Sequence, residues 1–359
     1  MRFFGAIVFR EDAKVRSCGM QIDCIDNIHQ FDKVKKTWEA VYSVDPYAHV
    51  FVSWAWLRGW FEVTPHRWSV LAIRPDNTSP YVAFFPLYMH TFRKYKIDWL
   101  RELHMGGKPS ADYTGLVCLP GYEEKAIASL AVYVQQQLKW DRFYMRDVLD
   151  PRLDLFLKDF FPEKFNVQQA NRISCPYIPL PNNWEQYLQE FLSSKTRRNL
   201  RYYSRKIEGL DEFRVTHVQL DNLDSQIEAL LTLWQARWGP KFAGYHALLR
   251  HCFENHCLWL IVLWHGTTPI AAGAAFVDQQ KKTFSFYIMG VNYKFAKLSP
   301  GKVILGYSIR YAIENGFQIY DFLRGDEDYK FSFGATERFT TSTLITRKSL
   351  RNIIANFIK

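Results

Sequence analysis

Apolar positions along the chain switch between a period of about 3.6 and a period of two, and each switch marks an element boundary. A strand-like run over 20–25 is followed by helical periodicity near 32–42. In the aromatic-rich segment 51–61, Trp56, Trp60 and then Val63 recur at helical spacing, which predicts a stripe facing the core. Residues 68–74 and 81–88 read as strands, and the intervening Pro75-Asp76-Asn77-Thr78-Ser79-Pro80 is dense in turn formers, so the two predict an antiparallel hairpin. A further strand ends at Met105-Gly106-Gly107, a helix runs over 123–138, and 142–148 is another strand.

The second half repeats this order. Helices are predicted over 184–207 and 223–238, strands over 258–264, 270–278 and 282–291, and a helix over 301–315 that Gly316 stops. Strands over 317–323 and 340–346 follow. Each half therefore predicts helices, a hairpin, a strand ending in glycine, a crossover helix and a returning strand. The expected fold class is α/β with mixed α+β sheets, built as two tandem related domains. Pro176, Pro179, Pro181, Asn182 and Asn183 disfavour regular structure near 171–183, which places the expected domains at 1–175 and 176–359.

Composition narrows the function. A chain of 359 residues with 48% hydrophobic and 23% charged positions suits two globular domains and excludes global disorder. The net charge of +10 suits an anionic partner: a phosphorylated cofactor, RNA or a membrane surface. Six scattered cysteines do not form a secreted disulfide framework and predict a reducing compartment. His251-Cys252 and His256-Cys257 have no second ligand pair to complete a tetrahedral site, so no metal is predicted and the segment reads as a packed helix. No apolar run approaches the ~18 residues of a membrane span. The apolar run 3–9 is followed at once by Arg10-Glu11-Asp12, with no cleavage pattern, and Met20 is a candidate start. A cytoplasmic protein is the expectation.

Two segments carry chemistry. Ser299-Pro300-Gly301-Lys302 opens a helix, where free N–H groups, the helix dipole and a lysine can hold a phosphate. After that helix, a returning strand delivers Asp321, Arg324 and the Gly325 turn beside the neighbouring strand end at Met289-Gly290, the position where open sheets place ligands. Separately, 193–206 holds six cations and no acid; Arg197, Arg198, Arg201 and Arg205 share one helix side while Leu200, Tyr203 and Ile207 share another. Three readings of that basic side stand: a solvated surface, a clamp for a phosphorylated substrate, and an RNA contact.

These residues carry a resemblance. Gly107 with Ser110-Ala111-Asp112-Tyr113, then Ser194-Lys195-Thr196-Arg197-Arg198-Asn199-Leu200, Pro269-Ile270-Ala271-Ala272, Leu298-Ser299-Pro300-Gly301 and the run from Asp321 to Lys330 appear in an order that resembles GNAT-superfamily acyltransferases related to the cellulose-biosynthesis protein CelD. That group is similar to the FemABX aminoacyl transferases. The resemblance implies two GNAT-like domains, the first non-catalytic and the second keeping the acyl-donor signature. It implies acetyl-CoA or another acyl-CoA as co-substrate and an amine acceptor, such as an amino sugar or saccharide precursor of exopolysaccharide or envelope assembly. One departure is plain: the usual glycine-rich pyrophosphate loop is missing, and Ser299-Pro300-Gly301 takes its position. Aminoacyl-tRNA as donor therefore stays open, as does a non-catalytic binding role in a polysaccharide pathway.

Acyl transfer to an amine needs a base, an oxyanion partner and a proton for the leaving group. The expected base is Asp326 or Asp321, the expected proton source Tyr329, and Lys330 and Arg324 are expected to stabilise negative charge. Met289, Gly290, Ser299, Pro300, Gly301 and Lys302 form the expected donor site; Lys195, Arg198, Asp112 and Tyr113 form the expected acceptor site. The chain holds no Gly-x-Ser-x-Gly elbow, Walker lysine loop or His-Glu-x-x-His helix that would favour a hydrolase, nucleotidase or zinc peptidase.

Overall fold

Period-two segments assemble into two mixed sheets in this computed structural model, which describes residues 19–94, 97–209, 211–239, 244–349 and 351–352. The run 3–9 lies outside the described residues. The first unit runs β1 (Gln21–Ile25), α1 (Ile28–Lys33), α2 (Lys35–Val44), α3 (Trp54–Val63), β2 (Arg67–Arg74), β3 (Ala83–Lys94), β4 (Ile97–Met105), β5 (Val117–Cys118), α4 (Glu123–Gln136), β6 (Arg142–Val148), α5 (Leu153–Leu157) and β7 (Phe165–Ser174). The second continues with β8 (Tyr177–Pro179), α6 (Trp184–Glu190), α7 (Ser194–Glu208), β9 (Phe213–His217), α8 (Leu223–Trp238), α9 (Tyr245–Glu254), β10 (Leu258–His265), β11 (Thr268–Asp278), β12 (Thr283–Val291), α10 (Pro300–Glu314), β13 (Ile319–Asp321), α11 (Asp328–Ser332) and β14 (Phe339–Arg347).

The two sheets are ordered β1-β2-β3-β4-β6-β14-β7, with β5 against β3, and β8-β13-β12-β11-β10-β9. Each holds one parallel pair, β4 with β6 and β12 with β13, and the other pairs are antiparallel. The tandem mixed α/β architecture is the one the repeat implied. One strand crosses over: β14 pairs with β6 and β7 in the first sheet, although it lies within 176–359. Local pattern cannot choose a sheet for such a threonine-rich strand. Ile345 decides the pairing by burying itself with Phe143 and Met145 in the first unit's core.

Other departures have local causes. The helix expected over 184–207 is two helices, because Ser193 is extended and its hydroxyl caps the Thr196 N–H at 3.1 Å. The strand expected over 317–323 pairs only over Ile319–Asp321, since Leu323 turns into the left-handed region at φ 60°. β7 and β9 went unread because both are edge strands with mixed polar sequences.

Three apolar clusters hold the layers. One lies between the first sheet and α4 and α5, another between the second sheet and α6, α7 and α10. The third joins the units: Trp56 and Phe51 of the first meet Phe276 of the second at ring separations of 6.1 and 5.8 Å, and α3 packs on α9. Trp56 and Trp60 are fully buried, as their spacing predicted. This shared core fixes the two sheets relative to each other and sets the geometry of everything between them.

Candidate functional site

β12 and β13 part company early. Their pairing ends at Ser285 and Asp321, whereas β12 continues to Val291 against β11 alone. The opening is occupied from the first unit by the loop after β4. Tyr287, at a bulge in β12, donates to the Ser110 carbonyl at 2.7 Å, and Tyr113 donates to Asp321 Oδ1 at 3.0 Å. The expected acceptor residues Asp112 and Tyr113 thus reach the returning strand that carries Asp321.

Past the split, the expected donor residues converge. A Cβ on Gly301 would lie 3.3 Å from Val291 and 3.4 Å from Met289, so α10 begins directly against the diverged end of β12. Gly290 is obligatory there: a Cβ would stand 2.5 Å from Leu233 Cβ and 2.6 Å from the Trp234 nitrogen, inside α8. Ser299 is left-handed at φ 47° and its side chain makes no cap; its carbonyl accepts from Lys302 N at 3.0 Å. Pro300 is buried at the first position of the helix and Lys302 is exposed.

The expected catalytic set divides in two. Asp321 is buried, with one oxygen taken by Tyr113 and the Leu323 N–H (2.9 Å) and the other by Arg338. Burial pushes its carboxyl above the ordinary range against the pull of Arg338. Asp321 therefore pairs with Arg338 and not with Arg324. Arg324 donates to Asp147 Oδ2 at 2.7 Å and approaches Asp112 at 3.6 Å. Lys330 is buried and donates to the carbonyls of Arg324 (2.8 Å) and Gly325 (3.1 Å), with Glu327 as ion partner at 2.9 Å. It ties down the turn that Gly325 makes at φ 111°. Asp326, by contrast, is exposed and Tyr329 is about one-third exposed; partial withdrawal of its phenol from water, with Glu327 nearby, pushes Tyr329 up to about 12.

Beside this turn lies a cavity of about 540 Å³ on the inner face of the first sheet. Its wall includes Tyr88, His104, Tyr144 and Arg146 from adjacent strands, Lys108 from the loop, and Arg324 from the second unit. Tyr88, His104 and Tyr144 stack across β3, β4 and β6 at centroid spacings of 4.7 and 5.0 Å, and Arg146 caps Tyr144 at 4.8 Å. Asp147 joins the units: it is buried, left-handed at φ 56°, and pairs with Lys108 as well as Arg324. Burial lowers the affinity of Lys108 for its proton, and Asp147 opposes the shift. His49, pushed down to about 3 by burial, is a neutral imidazole against the Tyr113 ring at 5.7 Å.

Lys108, Asp147 and Arg338 escaped the sequence reading. Asp147 offered one signal, an acid near the end of a segment read as a strand; Lys108 follows the two glycines already singled out; Arg338 offered none. Lys195 and Arg198 are not brought to the cavity. Both are exposed on α7, which crosses α10 where Leu200 meets Gly306, and Arg198 lines a separate surface depression of about 570 Å³. Among the described residues no group of three or more metal-ligating side chains gathers, and no helix is long and apolar enough to cross a membrane.

Comparison with known proteins bears on the second unit. Residues 194–331, from the start of α7 into α11, match the family model described as an acetyltransferase (GNAT) domain. Among curated proteins nothing matches. Solved structures share the fold at low identity: FemX, with a TM-score of 0.65 at 11% identity over 90% of this chain and 98% of that one. L-PGS from Bacillus licheniformis follows at 0.55 and 12% over 89% and 94%, and a tandem GNAT protein from the clavulanic acid biosynthesis pathway at 0.53 and 9% over 92% and 99%. Residues 194–331 thus resemble an acetyltransferase (GNAT) domain, within a chain whose tandem mixed α/β fold these solved structures share.

Proposed function

We propose that the protein transfers an acyl group from acetyl-CoA or another acyl-CoA to an amine on a small molecule or saccharide precursor. The observation that carries this reading is the parting of β12 from β13 beside the α10 N-terminus, inside the segment matched by the acetyltransferase model. A helix N-terminus is suited to a pyrophosphate, and the unpaired end of a strand offers backbone groups to an extended thioester arm. The residues from Met289 to Lys302 fit that role.

In the transfer, the amine nitrogen attacks the thioester carbonyl, the C–N bond forms, the C–S bond breaks, and the ammonium proton must leave. Asp321 suits the base poorly, because both its oxygens are occupied. Asp326, exposed on the same turn, is the better base, and Tyr329, protonated at neutral pH, suits the proton source for the thiolate. Lys330 acts by holding the turn, and Arg324 with Lys108 and Arg146 gives the cavity a cationic lining for an acceptor that bears an anionic group. Asp326→Asn is expected to lower kcat about 100-fold or more with an unchanged melting temperature. Full activity in that variant would remove Asp326 from the role.

A second reading, an aminoacyl-tRNA donor, draws on the exposed cations of α7. Isothermal titration separates the two. Acetyl-CoA is expected to bind at unit stoichiometry; no heat with acetyl-CoA, together with tRNA binding that falls steeply with salt, would select the tRNA reading.

A further inference from the structure

The outward side of α7 is built against its own stability. Arg197, Arg201 and Arg205 follow at four-residue steps, with Arg198 and Lys206 alongside, and like charges at that spacing weaken a helix. Among the described residues, the one ion pair along this stripe is Arg201 with Glu185 at 2.7 Å, while Arg197 donates to the Leu188 carbonyl. Tyr202 stands 57% exposed in the middle of the cations.

The patch does not stop at α7. The 3-10 turn Tyr293–Leu298 touches α7 and exposes Tyr293, Lys294 and Lys297. Arg237, at the end of α8, lies 6.0 Å from the Tyr293 ring and 4.6 Å from the ring of Trp238. Its charge also reaches Tyr329 on α11. Of the twelve large apolar or aromatic side chains exposed among the described residues, four belong to this face: Tyr202, Trp238, Tyr293 and Tyr329. Asp326 and Asp328 are exposed acids at its α11 margin.

We propose that this face, from α7 through the Tyr293–Leu298 turn to the end of α8 and α11, docks on an anionic lipid surface. Two features together favour a bilayer over a polynucleotide. The aromatic rings are dispersed, Trp238 at a helix end, Tyr293 on a turn and Tyr202 midway along α7, so they can enter the headgroup layer singly rather than forming a platform that stacks successive bases. Cations interleaved with Trp and Tyr are the composition of an interfacial surface, in which phosphate headgroups take the charge and the ring bodies take the acyl boundary. Docked this way, the junction of β12 with α10 faces the membrane, so an amine on a lipid-linked acceptor comes within reach. That last step rests on the transfer reading; the docking itself does not.

The test is co-sedimentation of the full-length chain with vesicles of phosphatidylcholine alone and of phosphatidylcholine with 30 mol% phosphatidylglycerol (about physiological ionic strength). Binding to the anionic vesicles is expected to exceed that to neutral ones at least tenfold and to fall with added NaCl, each surface cation contributing roughly fivefold. The variant Arg205→Ser/Lys206→Ser/Lys294→Ser/Lys297→Ser, with its melting temperature checked, is expected to lose at least tenfold, and Trp238→Ser to lose severalfold at constant charge. Equal partition to both vesicle types, or unchanged binding in the fourfold variant, overturns the proposal. So does binding to unfractionated tRNA that is tighter than to anionic vesicles and equally sensitive to the same substitutions, which makes the face an RNA surface. Acetyl-CoA titration reads the transfer function independently, so failure of one is distinct from failure of the other.

Discussion

Replacing Asp321 by alanine is expected to cost about 3–5 kcal/mol of unfolding free energy, read as a shift in the urea midpoint at unchanged slope. The carboxylate gathers three donors from three parts of the chain: Tyr113 Oη of the first unit, the Leu323 N–H of its own turn, and Arg338 just before β14. The Arg338 guanidinium lies over the rings of Tyr113 at 5.5 Å and Tyr177 at 4.8 Å, mostly withdrawn from water. Removing Asp321 leaves that charge without its partner, which costs more than the pair itself contributes. Replacing both, as Asp321→Ala with Arg338→Met, is therefore expected to be less damaging than the single change. If Asp321→Ala instead kept its midpoint and lost only turnover, the carboxylate would return to the role of general base.

Asp147→Asn is expected to cost a similar amount, about 3 kcal/mol or more, because one carboxylate serves two cations. Lys108 would keep only the Ala111 carbonyl at 2.6 Å, and Arg324 would keep the more distant Asp112. Asparagine tolerates the left-handed backbone at this position, so the loss reports the charge and not the φ of 56°. Since Asp147 belongs to the first unit and Arg324 to the second, and since Trp56 and Phe51 share a core with Phe276, both units are expected to unfold in one transition. Two resolved transitions in differential scanning calorimetry, with only the first shifted, would contradict this.

The repeat was legible because it rests on local signals: the turn formers at 75–80, the apolar strands at 258–264 and 270–278, and the glycine that stops α10. The convergence of Met289 and Gly301 was legible for the same reason, as a strand end and a helix start joined by a short turn. What escaped was long-range. Tyr113 meets Asp321 across 208 positions and Asp147 meets Arg324 across 177, and neither partner announces the other in its own neighbourhood. Asp321, Arg324, Asp326, Tyr329 and Lys330 were all expected in chemistry; in the fold, Asp321 and Lys330 are consumed in holding the turn, which leaves Asp326 and Tyr329 facing outward.

The placement of β14 bears on how the chain comes into being. Ribosomal synthesis delivers residues 339–347 only after β8 through β13, yet this strand lies between β6 and β7. Until it arrives, those two strands present unsatisfied edges on the nascent polypeptide, a situation that invites pairing with other chains. The first sheet is thus begun before the second unit is made and closed only after it, with β8 through β13 threaded into the interval, so completion of the first unit waits on the second.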